Sequence, residues 1–271
     1  MNTTTTDKPL FAPDTASDNK WDAMAEIFER YYSQGDYRDQ MLAKIEVIYS
    51  DTVLDVGSGP GTLALPIAAK VQAVTALDSS EAMLRLAEGQ AKEQGLNNLS
   101  FLKEDWDEVR IGDEVGVHDV VICSRATSIR NPRGALHKLH MAARRKVYLT
   151  VKVRGDHSEH FWREVYDKIS AVYVERPDYV SYVEMLEEMG IFPQVEFIDY
   201  CDSFNIESEA EVLQVIGGHV KLESEEQKSA FLALIRDNMA AHNGRYVAEV
   251  NSRWALLSWD KNAEDEDGAA I

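Results

Sequence analysis

Val53-Leu54-Asp55-Val56-Gly57-Ser58-Gly59-Pro60-Gly61 is the stretch that decides the fold. An apolar run carrying one acid is followed at once by three glycines at alternate positions. Glycine there lets the backbone turn sharply and approach a ligand with no Cβ in the way. The apolar segment that follows (Leu63, Leu65, Ile67, Ala68) reads as a helix. Its first amide groups would point at the same spot and suit an anionic group. A strand, a glycine turn and a helix are therefore expected in that order.

The flanking sequence extends this alternation into an α/β fold, with a parallel sheet covered by helices on both faces. Strands are expected at 52–56, 73–77, 99–102, 118–123 and 147–153. A helix runs from about Ser80 to a C-cap at Gly95, and Asn131-Pro132 opens another with Asn as cap and Pro at the first position. After residue 153 helices are expected over 158–172 and 178–189, then a strand over 194–200 and a closing strand over 254–259. Ser208-x-x-Glu211 and Ser224-x-x-Gln227 fit the capping box. They mark a helical insert over 202–246, between the last two strands. The expected whole is a doubly wound, mostly parallel, seven-stranded sheet with a helical insert near the C-terminus. It forms a single domain over 19–261 with an N-terminal helical region at 19–50. Residues 1–18 and the acidic stretch 262–271 read as disordered tails.

Composition narrows the function. The chain has 271 residues, 45% of them apolar, and a net charge of −19. That length can bury a full core. The acidity argues against nucleic-acid substrates, because phosphate binding needs clustered Lys and Arg. The densest basic cluster, Arg144-Arg145-Lys146, reads as the last turn of a helix, complementing its dipole. Cys123 and Cys201 make neither a disulfide framework nor a zinc site and fit a reducing, cytoplasmic setting. No run reaches the ~18 apolar residues of a membrane helix.

In doubly wound sheets, ligands bind beyond the carboxyl ends of the strands. The second strand ends in Asp78, 23 residues after Asp55. A carboxylate there can accept both ribose hydroxyls of a nucleoside. The third is followed by Asp105-Trp106, an acceptor for an adenine amino group and a ring to stack on it. The fourth ends in Cys123-Ser124-Arg125.

Asp55-x-Gly57-x-Gly59-x-Gly61 resembles the first motif of the class I, Rossmann-like S-adenosylmethionine-dependent methyltransferases, small-molecule type. Leu77-Asp78-Ser79-Ser80-x-x-Met83-Leu84 looks like the second motif, and Asp105-Trp106 like the adenine-end motif. The resemblance covers roughly residues 21–153. It implies S-adenosylmethionine as cofactor, held by Asp55, Gly57, Ser58, Gly59, Gly61, Thr62, Asp78, Ser79, Met83, Asp105, Trp106, Ser124 and Arg125. It also implies methyl transfer to a small-molecule acceptor by in-line displacement, with S-adenosylhomocysteine as product. A helix before the first motif folds over the site in many such proteins, which makes Tyr32, Tyr37 and Arg38 substrate-side candidates. Such transfer needs a general base only when the attacking atom must lose a proton. His157 and His160 are the candidates, and no metal site is expected. A homodimer is compatible with this reading, and a membrane partner is not expected.

Two other readings compete. One is an NAD-dependent oxidoreductase. The Gly-x-Gly-x-x-Gly fingerprint would put its third glycine at position 62, which is Thr62. The other is a non-catalytic S-adenosylmethionine-binding protein.

Overall fold

A computed structural model describes residues 21–22, 25, 36–126, 129–155, 157–217, 220–242 and 245–261. The first helix, α1 (Tyr37–Lys44), leads into β1 (Thr52–Val56), the glycine turn and α2 (Ala64–Ala68). Next come β2 (Ala73–Asp78), α3 (Glu81–Glu93), β3 (Leu99–Lys103), β4 (His118–Cys123), α4 (Pro132–Ala142) and β5 (Ala143–Lys152). The rest is α5 (His157–Lys168), α6 (Tyr179–Glu188), β6 (Gln194–Ile206), α7 (Glu209–Val215), α8 (Glu225–Asn238), β7 (Ala240–His242) and β8 (Arg245–Asp260).

The sheet order is β3-β2-β1-β4-β5-β8-β6, with the short β7 pairing β8. Strands β1 to β5 pair in parallel, and β8 runs antiparallel to β5, β6 and β7. The expected seven-stranded, mostly parallel sheet is what forms, with β7 as an added three-residue strand. The chain reverses its direction of travel across the sheet between β1 and β4. Open α/β sheets place their ligand crevice at such a switch point.

The sheet is buried on both faces because residues 53–56, 120–123 and 147–151 of its central strands are uncharged at every position but one. Successive side chains point to opposite faces. Leu54, Val56, Val121, Cys123, Val147 and Leu149 pack with α4 and α6 through Leu136, Leu139 and Leu186. Val53, Val120, Ile122 and Tyr148 pack with α1 and α2 through Met41, Ala64 and Ile67. The exception is Asp55, an acid in the middle of this pattern. A third apolar cluster joins Val165 of α5 to Val212, Phe231, Leu234 and Ile235 of the insert, with Ile206 and Tyr246 at its base.

The helix starts follow the sequence signals. The Asn131 side chain accepts from the Gly134 amide, Ser208 from Glu211 and Ser224 from Gln227. Glu211 and Gln227 reach back to the amides of Glu207 and Glu223, completing both capping boxes.

Three expectations are corrected. Arg144-Arg145-Lys146 does not close a helix. Helix α4 stops at Ala142, and these cations open β5, paired with Asp119, Asp51 and Asp260 respectively. The strand expected over 194–200 continues to Ile206, and the closing strand begins at Arg245 rather than 254. Their ladder runs unbroken from Gln194↔Ser258 to Ile206↔Tyr246. The inserted helices therefore hang from a two-stranded ribbon rather than from loops. Polar residues along 202–206 and 245–253 hide this ribbon from a hydrophobic reading.

Neither cysteine is bridged; Cys123 is buried and Cys201 exposed. Burial, then the charge of Asp55, pushes the Cys123 thiol up to about 12. Ellman's reagent is expected to titrate one thiol in the native protein and two in guanidinium. Two fast-reacting native thiols would contradict this burial.

Candidate active site

The glycine turn is built by three residues in the left-handed region: Gly57 (φ 68°), Gly59 (φ 54°) and Gly61 (φ 85°). They differ in what surrounds them. A Cβ at Gly57 would lie 2.8 Å from the Ala126 Cβ, and one at Gly61 would lie 2.8 Å from the Leu65 Cγ. These two glycines let other parts of the protein close in. Gly59 has nothing within 4 Å of that position, so its face of the turn opens outward. The amides of Gly57 and Ser58 both donate to the Leu77 carbonyl, tying the turn to the end of β2. The buried Ser58 hydroxyl has no hydrogen-bond partner among the described residues. Thr62 is partly exposed at the start of the following turn.

Asp78 stands at the tip of β2. Its carboxylate accepts from the Gly59 amide at 2.8 Å and the Ser80 amide at 2.9 Å. Desolvation raises its pKa, and the hydrogen bonds from Ser80, Gly59 and Ser79 oppose that rise. Asp55, behind the turn, is 2% exposed. Its pKa is pushed up to about 7, first by desolvation and then by Asp78, against one hydrogen bond from the Ala64 amide. Two acids thus flank the turn, and only Asp78 reaches its open side. Met83 is buried within α3, below its cap Ser80.

A residue the sequence reading missed joins here. Asp22 accepts from the Ser80 hydroxyl at 2.6 Å and from the Ala82 amide at 3.1 Å, capping α3 from 58 residues away. Those hydrogen bonds, Ser80 first, lower its pKa. Nothing local in the sequence announces this contact.

The adenine-end pair is divided. Asp105 is partly exposed, accepts from the Asp107 amide and pairs with Arg130 at 2.7 Å. Trp106 is 6% exposed and packed in the core, with the Lys138 ammonium over its ring. The structure therefore presents Asp105 and buries Trp106, against the expectation of a stacking ring. The core pocket beside Val56, Val109 and Leu136 takes up its large apolar surface.

At the tip of β4 the structure assembles a cluster from four elements. The Tyr37 hydroxyl donates to Thr150 Oγ1 at 3.0 Å and shares a 2.8 Å hydrogen bond with Ser124 Oγ. The Arg125 amide donates to the same Thr150 Oγ1 at 2.9 Å. The Arg125 guanidinium lies 4.3 Å from the Tyr37 ring centre and 6.0 Å from that of Tyr200. The two tyrosine rings are 5.1 Å apart. Burial raises the Tyr37 phenol above its ordinary value, so the ring under Arg125 is neutral. Arg125 holds a positive φ of 55°, uncommon for a residue with a side chain.

The remaining candidates separate. Arg38 is exposed and pairs with its neighbour Asp39, pointing away from Tyr37. The α1 helix can present only one of two adjacent residues to the sheet. His160 is exposed on α5, and His157 is the first residue of that helix. Tyr32 lies outside the described residues. Thr150 and Tyr200 were missed; they come from strands more than 100 residues after Tyr37.

A mostly parallel sheet in this order, with a glycine turn after β1 and an acid at the tip of β2, is a Rossmann-like α/β architecture with its crevice at the switch point. Residues 53–146 match the family model of a methyltransferase domain. The matched segment is a methyltransferase domain by that likeness. An uncharacterised protein of Haemophilus influenzae is 29% identical over 226 residues, 83% of this chain and 81% of that protein. The ubiquinone biosynthesis O-methyltransferase of Rickettsia canadensis is 34% identical over 89 residues. That alignment spans 31% of this chain and 36% of that enzyme. A candidate methyltransferase of Bacillus halodurans superposes with a TM-score of 0.60 at 18% identity, over 83% of this chain and 99% of that one. This last likeness is one of fold. Among the described residues, no helix is long and apolar enough to cross a membrane.

Proposed function

We propose that this protein transfers a methyl group from S-adenosylmethionine to a small-molecule acceptor, releasing S-adenosylhomocysteine. The observation that carries the reading is the Gly59 face. It is a left-handed glycine with open space where a side chain would stand, beside the Asp78 carboxylate. The unpartnered Ser58 hydroxyl fits the same reading, since a buried polar atom calls for a partner.

Gly57, Ser58, Gly59, Gly61 and Thr62 would line the central part of the cofactor. Asp78 and Ser79 would hold its ribose hydroxyls, and Asp105 with Met83 its adenine end. Asp55 would act from behind, through the start of α2. The cofactor supplies an activated methyl on a sulfonium. The protein's part is alignment and exclusion of water. The N-terminal segment supports an enclosed acceptor site. Asp22 reaches the β2 end, and Tyr37 is buried against the β4 end. The net charge of −19 supports a small acceptor over a nucleic acid.

Calorimetric titration with S-adenosylhomocysteine tests this directly. Binding at micromolar strength or tighter is expected, with NADH inert. NADH binding in its place would make the protein an oxidoreductase. Tight binding with no methylated product from any small acid, amine or phenol would leave a non-catalytic binding protein.

A further inference from the structure

Arg125 is set apart from most of the described arginines. Arg110, Arg130, Arg145, Arg163 and Arg253 are each engaged by a carboxylate. Arg125 faces no carboxylate among the described residues. It rests instead on a neutral tyrosine ring, half-buried, in a chain where acids outnumber Lys and Arg by 47 to 28. A guanidinium held by its face keeps its N–H edge free. That edge is a planar fork suited to a carboxylate.

The position is built rather than incidental. The backbone at Arg125 holds a positive φ of 55°, which residues with a Cβ rarely adopt. The Thr150 hydroxyl holds that conformation through the Arg125 amide. Thr150 in turn takes the Tyr37 hydroxyl, so one side chain fixes both the arginine's backbone and the ring under its guanidinium. Ala126, the next residue, lies against Gly57, which puts Arg125 beside the glycine turn.

Direction follows from the partners. Asp78 lies on the β2 side of the switch point. Thr150 and Tyr200 belong to β5 and β6, on the opposite side of β4. The guanidinium therefore faces the half of the crevice away from the ribose end.

We propose that Arg125 is the anion-recognition residue of the acceptor half of the crevice, and that the methyl acceptor carries a carboxylate. This rests on the methyltransferase reading, and it moves Arg125 from the cofactor set, where the resemblance put it, to the acceptor side. The same chemistry has a second source, the amino-acid carboxylate of the cofactor itself, and the two are separable.

The experiment uses the full chain and the variants Arg125→Met and Arg125→Lys, each checked by thermal melting. Three probes are titrated calorimetrically: S-adenosylhomocysteine, 5′-methylthioadenosine (which lacks the amino-acid carboxylate), and benzoate against its neutral counterpart benzamide. Benzoate and benzamide are titrated with and without saturating S-adenosylhomocysteine. Benzoate is expected to bind at least tenfold more tightly than benzamide. Arg125→Met should remove that preference, and Arg125→Lys should reduce it, since an ammonium cannot make the paired contact. Affinity for S-adenosylhomocysteine should stay within twofold in both variants. A tenfold loss for S-adenosylhomocysteine with none for 5′-methylthioadenosine would overturn the proposal and give Arg125 to the cofactor. Equal binding of benzoate and benzamide, or binding of neither, would also overturn it. Failure of the unaltered protein to bind S-adenosylhomocysteine would sink the methyltransferase reading instead. The benzoate preference without cofactor would then still judge Arg125.

Discussion

Asp78→Ala is expected to weaken S-adenosylhomocysteine binding by about 2–3 kcal/mol, a loss of roughly 30- to 150-fold. Two effects combine. The carboxylate proposed to accept the ribose hydroxyls is gone, and those hydroxyls would be desolvated without a partner. The Gly59 and Ser80 amides also lose their acceptor, so the turn loosens at its open face. Asp78→Asn separates the two. An amide oxygen can keep one backbone contact, but its nitrogen cannot accept from the other, and the charge is lost. Its affinity should fall between those of the alanine variant and the unaltered protein. Calorimetry reads the affinity, and circular dichroism melts confirm that both variants fold. An unchanged affinity in the alanine variant would mean that the nucleoside lies elsewhere.

Asp55→Asn is expected to stabilise the protein at pH 8, by about 2–4 kcal/mol. The unfolded carboxyl ionises near 3.8 and the folded one at about 7. Between those values the folded state holds a proton that the unfolded state has released. Stability is therefore greatest below the unfolded pKa, falls as pH rises toward 7, and levels off above it. An asparagine keeps the acceptor for the Ala64 amide and carries no charge to desolvate. Melting temperatures measured from pH 5 to pH 8 should fall in the unaltered protein and fall less in the variant. The net negative charge contributes a similar slope to both proteins, so the difference between them isolates Asp55. Parallel curves would show that the buried carboxyl does not titrate in this range.

What could be read from the sequence was local. The alternation of strand and helix, the glycine turn, the acid ending β2 and the helix caps each depend on residues a few positions apart. Each of these appears in the structure. The errors come from interactions that close over long separations. Asp105 and Trp106 form one dipeptide, yet the acid meets Arg130 at the surface and the ring enters the core. Tyr37 and Arg38 are adjacent on one helix, and only Tyr37 turns toward the sheet. The run 144–146 has a helix-ending composition, but pairing with β4 and β8 draws it into a strand. Asp22, Thr150 and Tyr200 carried no signal, because an Asp, a Thr or a Tyr acquires its role from the element that packs beside it.

The ribbon formed by β6 and β8 has a consequence for how such a protein can diversify. Ile206 and Tyr246 are direct cross-strand partners, so the chain leaves the sheet and re-enters it at adjacent points. Everything between them, α7 and α8 included, departs from and returns to a single two-stranded stem. A different cassette could be spliced onto that stem without moving Gly59, Asp78 or any strand from β1 to β5. Evolution can thus swap one end of the molecule as a unit while the nucleoside-facing end stays untouched.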